Sequence, residues 1–162
     1  MDKNDMLKES VFSLIGDRWM LVAATDKSGK TNAMTASWGG MGVLWGKKVA
    51  FVFIRPQRYT KRFVDEAAKF TLSFFDDSHK KMLGYMGKVS GKDEDKMAKS
   101  GLTVTDKDGA PVFKEASLTL VCRKMYRGTL KEENFIDKSN IEKWYPQKDY
   151  HDVYVAEIVE EL

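Results

Sequence analysis

The sequence predicts a mainly β fold with inserted helices, arranged as an antiparallel barrel. Many short apolar runs are bounded by Gly, Pro, Asn, Asp or Ser, which is typical of strands joined by turns. Helical patterns occur only between some of these runs, so strands and helices do not alternate as they do in a parallel doubly wound sheet. The 162 residues, 43% of them hydrophobic, contain no repeat or linker, which predicts a single domain over residues 1–162.

The predicted strands are short, and one of them, 49–54, is apolar on both faces and is therefore expected to be buried. The turn residues at 26–30 predict a hairpin in which the chain from 31 to 45 returns as extended chain. Apolar runs place the strands at 20–25, 49–54, 70–75, 102–105, 112–113, 117–126 and 153–159.

Three helical patterns lie between these strands. Thr60 stands where an N-cap belongs before the first, and Ser78 is expected to cap the second. Gly101 is expected to end the third in the left-handed conformation. The predicted helices are 61–69, 79–87 and 93–99.

Two segments are less regular. The first 18 residues are polar apart from the apolar patch Val11–Ile15, which we expect to be an edge strand or a lead-in loop. The polar segment 131–152 is predicted to be the least regular part of the chain. Within the run 31–45, three glycines indicate a bulge or the close approach of a ligand, namely Gly39, Gly40 and Gly42.

Composition and charge exclude several classes of protein. The net charge of +3, from 27 basic and 24 acidic residues, is too balanced to predict nucleic acid as a partner. No apolar run reaches the roughly 18 residues needed to cross a bilayer, and the charged N-terminal residues do not resemble a secretory signal. The one cysteine, Cys122, lies in an apolar run, which predicts a buried, inert thiol. We therefore expect a cytoplasmic protein that binds neither membrane nor nucleic acid.

Common catalytic and metal motifs are missing from the sequence. The two histidines, His79 and His151, have no Cys or carboxylate at ligand spacing, so no metal site is predicted. Trp45 stands where the third glycine of a GxGxxG motif would belong, and the sequence has neither a P-loop nor a Gly-x-Ser-x-Gly elbow. No side chain is required as an acid or base, so no catalytic residue is predicted.

Two arginines just before the first long helical pattern indicate an anion site. Arg55 and Arg58 flank Pro56, and Thr60 can add its hydroxyl at the helix start. Arginine side chains beside a helix N-terminus suit a phosphate group. The alternative at this point is a solvated basic turn followed by an ordinary helix cap.

The segment 32–38 points to a flat ligand. Strand alternation places Ala33, Thr35 and Ser37 on one face, and small residues allow a planar molecule to lie against the backbone. Asn32 offers both a donor and an acceptor. The alternative for Trp38 is core packing, and for Thr35 and Ser37 an ordinary strand surface. The opposite face of the strand carries Asn32, Met34, Ala36 and Trp38.

These motifs resemble the flavin reductase-like, FMN-binding split-barrel family, and within it the flavoredoxin-like members. The resemblance rests on Asn-x-Met-Thr-x-Ser-Trp, Arg-Pro-x-Arg-Tyr-Thr, Phe-Thr-x-Ser and Ser-Gly-x-Asp-x-Asp-Lys, found in this order. It covers residues 14–125 well and the tail loosely. The four segments are Asn32–Trp38, Arg55–Thr60, Phe70–Ser73 and Ser90–Lys96.

The resemblance implies a split β-barrel that forms a homodimer, with FMN held near the dimer interface. Lys96 would contact the phosphate or the flavin edge, the alternative being a solvated helix lysine. His151 would lie near the flavin or nicotinamide, the alternative being an exposed loop histidine. The cofactor contacts implied by the family are Asn32, Ala33, Met34, Thr35, Ala36, Ser37, Trp38, Arg55, Arg58, Tyr59, Thr60, Ser90, Gly91, Lys96 and His151.

The activity implied is that of an NAD(P)H-dependent flavin reductase, which passes a hydride from NADH or NADPH to FMN. The alternative is a flavoredoxin-type electron-transfer protein, reduced by a redox partner protein and without NAD(P)H oxidation of its own. The segment 131–152 is where the two could differ, because it could cover the nicotinamide position or form a partner surface.

Overall fold

The computed structural model describes residues 2–162. Within these residues the helices are α1 Lys3–Lys8, α2 Thr60–Glu66, α3 Lys80–Lys88, α4 Lys96–Lys99 and α5 Ser139–Trp144, with a π-helical turn at Phe12–Asp17 and 3-10 turns at Asp77–His79 and Glu132–Asn134. The strands are β1 Met20–Thr25, β2 Thr31–Ala36, β3 Gly39–Leu44, β4 Lys47–Ile54, β5 Lys69–Phe74, β6 Val104–Lys107, β7 Ala110–Phe113, β8 Leu118–Thr129 and β9 Asp152–Glu161.

Seven strands form one antiparallel sheet in the order β2-β1-β5-β8-β9-β4-β3, and β6 pairs with β7 in a separate hairpin. The two edge strands, β2 and β3, are joined only by Ser37 and Trp38. Three Cα–Cα steps span at most about 11 Å, so the sheet must curl until its edges approach each other. No ladder joins β2 to β3 among the described residues, which leaves a barrel that is open at this seam. The predicted mainly β split barrel with inserted helices is confirmed.

The core has two parts because β1 is buried on both faces. Met20, Val22 and Ala24 point into the barrel, where they pack with side chains such as Phe70 and Tyr154. Leu21 and Ala23 point outwards into a smaller cluster with Leu83 and Met86 of α3. Helix α3 therefore covers the outer face of β1 and β2 and brings its C-terminal end close to β2. Cys122 is buried in the barrel, and burial raises the pKa of its thiol.

The expectation of an edge strand or loop at Val11–Ile15 is wrong. The chain forms the π-helical turn there, and Leu14 and Ile15 are buried in the barrel core. A preceding helix, α1, begins after Asp2, whose side chain accepts a hydrogen bond from the Asp5 backbone N at 2.9 Å. Met6 of α1 is buried in the same core cluster as Leu14 and Ile15.

The run 31–45 is divided between the two edges of the sheet. The predicted hairpin of β1 and β2 is confirmed, since Met20 pairs with Ala36 and Thr25 with Thr31. The second half forms β3, which pairs with β4 instead. Gly39 has a φ of +152°, and a Cβ there would lie 2.8 Å from the Phe51 carbonyl oxygen. A residue with a Cβ would not fit here, because the chain passes from β2 to β3 at this point and its backbone lies directly against β4.

Two predicted helix caps are wrong. Thr60 is the first helical residue of α2, and its hydroxyl bonds to Asn32. Ser78 lies inside a 3-10 turn that Asp76 caps by accepting from the Ser78 backbone N at 3.1 Å. The left-handed residue at Gly101 is confirmed, with a φ of +75°.

Several predicted boundaries also shift. Helix α2 ends three residues before its predicted end, and the predicted third helix, 93–99, is reduced to α4. The hairpin strands β6 and β7 stand in place of the predicted strands 102–105 and 112–113. Strand β8 continues beyond its predicted end to Thr129. The segment 131–152 is mostly irregular, as predicted, but contains a 3-10 turn and α5. None of the helices within residues 2–162 is long and apolar enough to cross a membrane.

Candidate functional site

Three of the sequence motifs meet at the start of α2. Asn32 of β2 is buried and donates through Nδ2 to the Thr60 hydroxyl at 2.8 Å. Gly91 lies against both motifs, since a Cβ on it would be 2.5 Å from Asn32 Oδ1 and 2.9 Å from Tyr59 Cδ2. A side chain at position 91 would therefore force the motifs apart. Asn32, Thr60 and Gly91 thus hold the three segments together.

A narrow pocket of about 130 Å³ opens where these segments meet, and Arg58 and Lys96 line it with Thr60 and Ser90. Arg58 is half-buried, and burial lowers the pKa of its guanidinium. Within residues 2–162 no carboxylate forms an ion pair with it. An arginine that is partly removed from water and lacks a carboxylate partner is a strong donor for an added anion.

Lys96 is buried, with 3% of its surface exposed, so it is not a solvated helix lysine. Its ammonium group donates to the backbone oxygens of Met86 and Val89, both at 2.9 Å. Burial, together with the positive charge of Arg58, lowers its pKa to about 8. Two cations that face one pocket without a carboxylate repel each other, and an anion between them would relieve that repulsion.

A second pocket of about 170 Å³ adjoins the first, because Arg58 lines both. One wall is the end of β2, from Met34 through Ala36, continued by Ser37 and Trp38 at the seam. Thr35 is fixed by donating to the Leu83 carbonyl oxygen at 2.5 Å. Phe53, Arg55 and His151 complete the lining of this pocket.

Arg55 has surroundings unlike those of Arg58. Its Nη1 donates to Asp149 Oδ2 at 2.9 Å and its Nη2 to the Trp144 carbonyl oxygen at 2.9 Å. Its guanidinium also lies 4.8 Å from the ring centre of Tyr145. Arg55 therefore links the segment 131–152 to the end of β4, and these hydrogen bonds engage both of its terminal nitrogens.

His151 is buried immediately before β9, so it is not an exposed loop histidine. Its Nδ1 is 2.5 Å from the Tyr145 hydroxyl, and burial lowers the pKa of its imidazole to about 4. The ring is therefore neutral at pH 7. Trp38 lies 5.5 Å from His151 and 4.9 Å from Trp144, ring centre to ring centre, in an edge-to-face contact with the latter. With 43% of its surface exposed, Trp38 is not a core residue.

Other residues that the sequence predicts as cofactor contacts pack against the core or against neighbouring side chains. Ala33 is buried in the outer cluster beneath α3, and Met34 has most of its side chain in the barrel core. The ring of Tyr59 packs against Phe63 at 5.2 Å. The sequence did not predict three further residues near the site, namely Trp144, Tyr145 and Asp149. The one feature that could have indicated them is the presence of aromatic side chains beside acidic ones in the polar segment 131–152. Among residues 2–162 no three or more His, Cys, Asp or Glu side chains group as metal ligands would.

The structure is a β-barrel open at one seam, with a basic pocket beside a second pocket that small residues and aromatic rings line. Residues 12–160 match the sequence model described as the flavin reductase like domain, so the chain belongs to that family. No curated protein sequence matches it.

Solved structures of similar fold include flavoproteins. The flavoredoxin of Methanosarcina acetivorans is 27% identical with a TM-score of 0.68, over 90% of this chain and 67% of that one. The flavoredoxin of Desulfovibrio vulgaris (Miyazaki F) is 23% identical with a TM-score of 0.69, over 89% and 68%. A protein with a split barrel domain from Shewanella frigidimarina NCIMB 400 is 18% identical with a TM-score of 0.70, over 99% and 77%.

Proposed function

We propose that the chain binds FMN, with the phosphate in the pocket of Arg58 and Lys96 and the flavin ring in the pocket beside Trp38. The strongest support comes from Arg58 and Lys96, two cations that face one pocket and have no carboxylate partner within residues 2–162. A phosphate dianion supplies the charge and the acceptor oxygens that this pair lacks. Ser90 and Thr60 add hydroxyl groups to the same pocket.

The second pocket fits a planar ring. Ala36 and Ser37 present small side chains there, so a ring can reach the backbone N–H and C=O groups at the seam. The aromatic edge of Trp38 borders the same space. The two pockets meet at Arg58, which is the relation that a ring and a phosphate joined by a short chain would need.

We propose further that the chain is an NAD(P)H-dependent flavin reductase. Bound FMN would supply the ability to accept a hydride from NADH or NADPH. The residues of this chain bind and orient the cofactor and limit the access of water. His151 contributes a neutral ring at pH 7, so it adds no charge that would compete with the phosphate site.

The test is the visible spectrum of the desalted, FMN-reconstituted protein, recorded anaerobically before and after addition of NADH and then of NADPH. Retained flavin absorbance that is bleached by either nicotinamide supports the reductase. Loss of flavin on desalting, with no binding in a fluorescence titration, overturns FMN binding itself.

The second candidate is an electron-transfer protein of the flavoredoxin type. It is favoured by the 27% identity to a flavoredoxin and by the Trp38–Trp144 contact, which joins the segment 131–152 to a residue that lines the ring pocket. In the same experiment it predicts FMN that is retained, is not bleached by NADH or NADPH, and is reduced by dithionite or by a protein partner.

We also propose a homodimer formed through the seam. Phe12 is 88% exposed, and Val43 and Trp45 of the β3 edge and its turn are 78% and 59% exposed. Large apolar side chains exposed along and beside one edge strand suit burial against a second copy of the chain. We expect light scattering to show a dimer that Val43→Glu dissociates and that Val159→Glu, a matched change on β9, leaves intact; a monomeric parent protein contradicts the dimer.

We also propose that the protein is cytoplasmic. Its one thiol, Cys122, would stay reduced in that compartment.

A further inference from the structure

Tyr145 and His151 form a buried pair beside the ring pocket. Tyr145 follows α5 and His151 precedes β9, and only 6% and 7% of their surfaces are exposed. The Tyr145 hydroxyl lies 2.5 Å from His151 Nδ1, and the two rings meet edge to face with their centres 5.4 Å apart. A phenylalanine would make the same ring contact, so packing alone does not account for the hydroxyl group.

The hydrogen bond between the two side chains has one consistent direction. Within residues 2–162 the Tyr145 hydroxyl has no hydrogen-bond partner other than Nδ1, and burial raises the pKa of this hydroxyl, so it keeps its proton at pH 7. A buried hydroxyl proton without an acceptor costs free energy, so Tyr145 donates and Nδ1 accepts. The neutral imidazole of His151 carries a single proton, which is therefore on Nε2.

The surroundings of Tyr145 fix the orientation of its ring. The ring centre lies 5.8 Å from that of Phe135 and 5.1 Å from that of Tyr150. The guanidinium of Arg55 lies 4.8 Å from the same ring centre. These contacts hold the hydroxyl group towards His151, because a ring packed against two others and a cation cannot turn freely.

The second ring nitrogen of His151 is left for a ligand. His151 lines the ring pocket, and its ring centre lies 5.5 Å from that of Trp38 and 6.3 Å from that of Phe53. Nε2 forms no hydrogen bond within residues 2–162. In this part of the chain the one fully buried side-chain polar atom without a partner is the Tyr150 hydroxyl, so Nε2 is in contact with open space. A molecule in the ring pocket can therefore reach this N–H group.

We propose that Tyr145 is a positioning residue for the ring pocket: it fixes the His151 ring with the proton on Nε2, so that this N–H group donates to a carbonyl oxygen or an unprotonated ring nitrogen of the ligand. Tyr145 itself does not line the pocket. The opposite tautomer would present a lone pair to the same ligand atoms and would repel them. The inference rests on the proposed function, because the flavin ring of FMN offers acceptors of both kinds.

The first test is nitrogen NMR of the flavin-free protein with isotope-labelled histidine at pH 7, since the shifts of the two ring nitrogens distinguish a protonated from an unprotonated nitrogen. We expect His151 to carry its proton on Nε2 and its Nδ1 signal to be displaced by the accepted hydrogen bond. Tyr145→Phe should abolish that displacement. Tyr150→Phe removes the same group from a neighbouring ring and should leave the His151 signals unchanged. His79, the other histidine, is the internal reference in every sample.

The second test is a double-mutant cycle with riboflavin, which has the flavin ring but no phosphate. Tyr145→Phe should weaken riboflavin binding about threefold, within the usual contribution of one neutral hydrogen bond. In the His151→Leu background the same change should have no effect, because Tyr145 acts on the ligand through the histidine. A merely structural role of Tyr145 would weaken binding in both backgrounds. Tyr150→Phe should again leave the affinity unchanged.

The proposal is overturned if His151 carries its proton on Nδ1 in the parent protein, or if Tyr145→Phe leaves the Nδ1 signal unchanged. It is also overturned if Tyr145→Phe weakens riboflavin equally in both backgrounds. These failures are distinct from a failure of the proposed function. If the parent protein binds no flavin, the proposed function is wrong, whereas the NMR signals of the flavin-free protein still decide whether Tyr145 sets the tautomer of His151.

Discussion

Arg55 and Arg58 belong to one motif, three residues apart, yet the structure gives them opposite surroundings. Arg55 is bound by a carboxylate, a carbonyl oxygen and an aromatic ring, all supplied by the segment 131–152. Arg58 has no carboxylate partner within residues 2–162 and shares its pocket with the buried Lys96. The motif therefore supplies two cations, while distant parts of the chain decide which one stays available for a ligand.

The largest expected effect is on the Arg58 side. Arg58→Ala should weaken FMN binding by about 1.5–3 kcal/mol, the usual contribution of a hydrogen bond to a charged group. Riboflavin has no phosphate, so its affinity should change much less. Fluorescence titration of both flavins measures the difference.

Arg123→Ala is the matched control, because Arg123 is exposed on β8 and among residues 2–162 its one ion pair is with Glu157 at 2.6 Å. It should leave FMN affinity unchanged. If Arg58→Ala and the parent protein bind FMN equally well, the phosphate does not bind in this pocket. The proposed difference in role between Arg55 and Arg58 is then also wrong.

The second effect is a pH dependence that comes from Lys96. Its pKa of about 8 means that the ligand-free protein loses this proton between pH 7 and pH 9. FMN affinity should therefore fall by roughly tenfold over that range, because the loss of one proton weakens the binding free energy by about 1.4 kcal/mol for each pH unit above the pKa. Titration of FMN at several pH values checks this, and Lys96→Met should bind weakly with a flat profile.

The stability of the ligand-free protein should change in the opposite direction. The pKa of Lys96 is lowered on folding from 10.5 to about 8, so the unfolded chain binds the additional proton in that interval. The free energy of unfolding should rise as pH increases through the interval, while FMN affinity falls. A parallel fall in both quantities would mean that another group controls the binding.

The third effect belongs to Arg55. Arg55→Ala should lower the free energy of unfolding by about 1–2 kcal/mol, because its partly buried bonds to Asp149 and to the Trp144 carbonyl are lost. FMN phosphate binding should change less than in Arg58→Ala. Urea unfolding of both arginine variants, with hydrogen exchange of residues 139–149, measures the loss of stability, and fluorescence titration with FMN measures the change in binding. A loss of FMN affinity as large as that of Arg58→Ala, without a loss of stability, would mean that both arginines bind the phosphate.

How far the sequence predicts this molecule depends on how local each contact is. The hairpin of β1 and β2 was predictable from its turn residues, and so was Gly101, because both depend on neighbours in the chain. The position of β3 was not, because its partner strand and the far edge of the sheet are set by the order of all seven strands. The short patch Val11–Ile15 has the same apolar content whether it is strand or helix, and only its packing decides.

The candidate site shows the same division. The motifs named most of the residues that line the two pockets, from Met34 to Trp38 and at Arg58, Thr60, Ser90 and Lys96. They could not show that Lys96 is buried, since that depends on backbone oxygens of Met86 and Val89. Nor could they show that Arg55 is engaged, since Asp149 lies 94 residues further along the chain.

The smallest effect is expected at Trp38, between the two regions. With 43% of its surface exposed, Trp38→Ala should lower the free energy of unfolding by no more than about 1 kcal/mol, the order of one aromatic pair contact with Trp144. Because Trp38 borders the ring pocket and not the phosphate pocket, its loss should weaken riboflavin and FMN by the same factor, whereas Arg58→Ala weakens FMN alone. Titration of the two flavins against both variants therefore separates ring contacts from phosphate contacts, and a loss confined to FMN in Trp38→Ala would place the ring elsewhere.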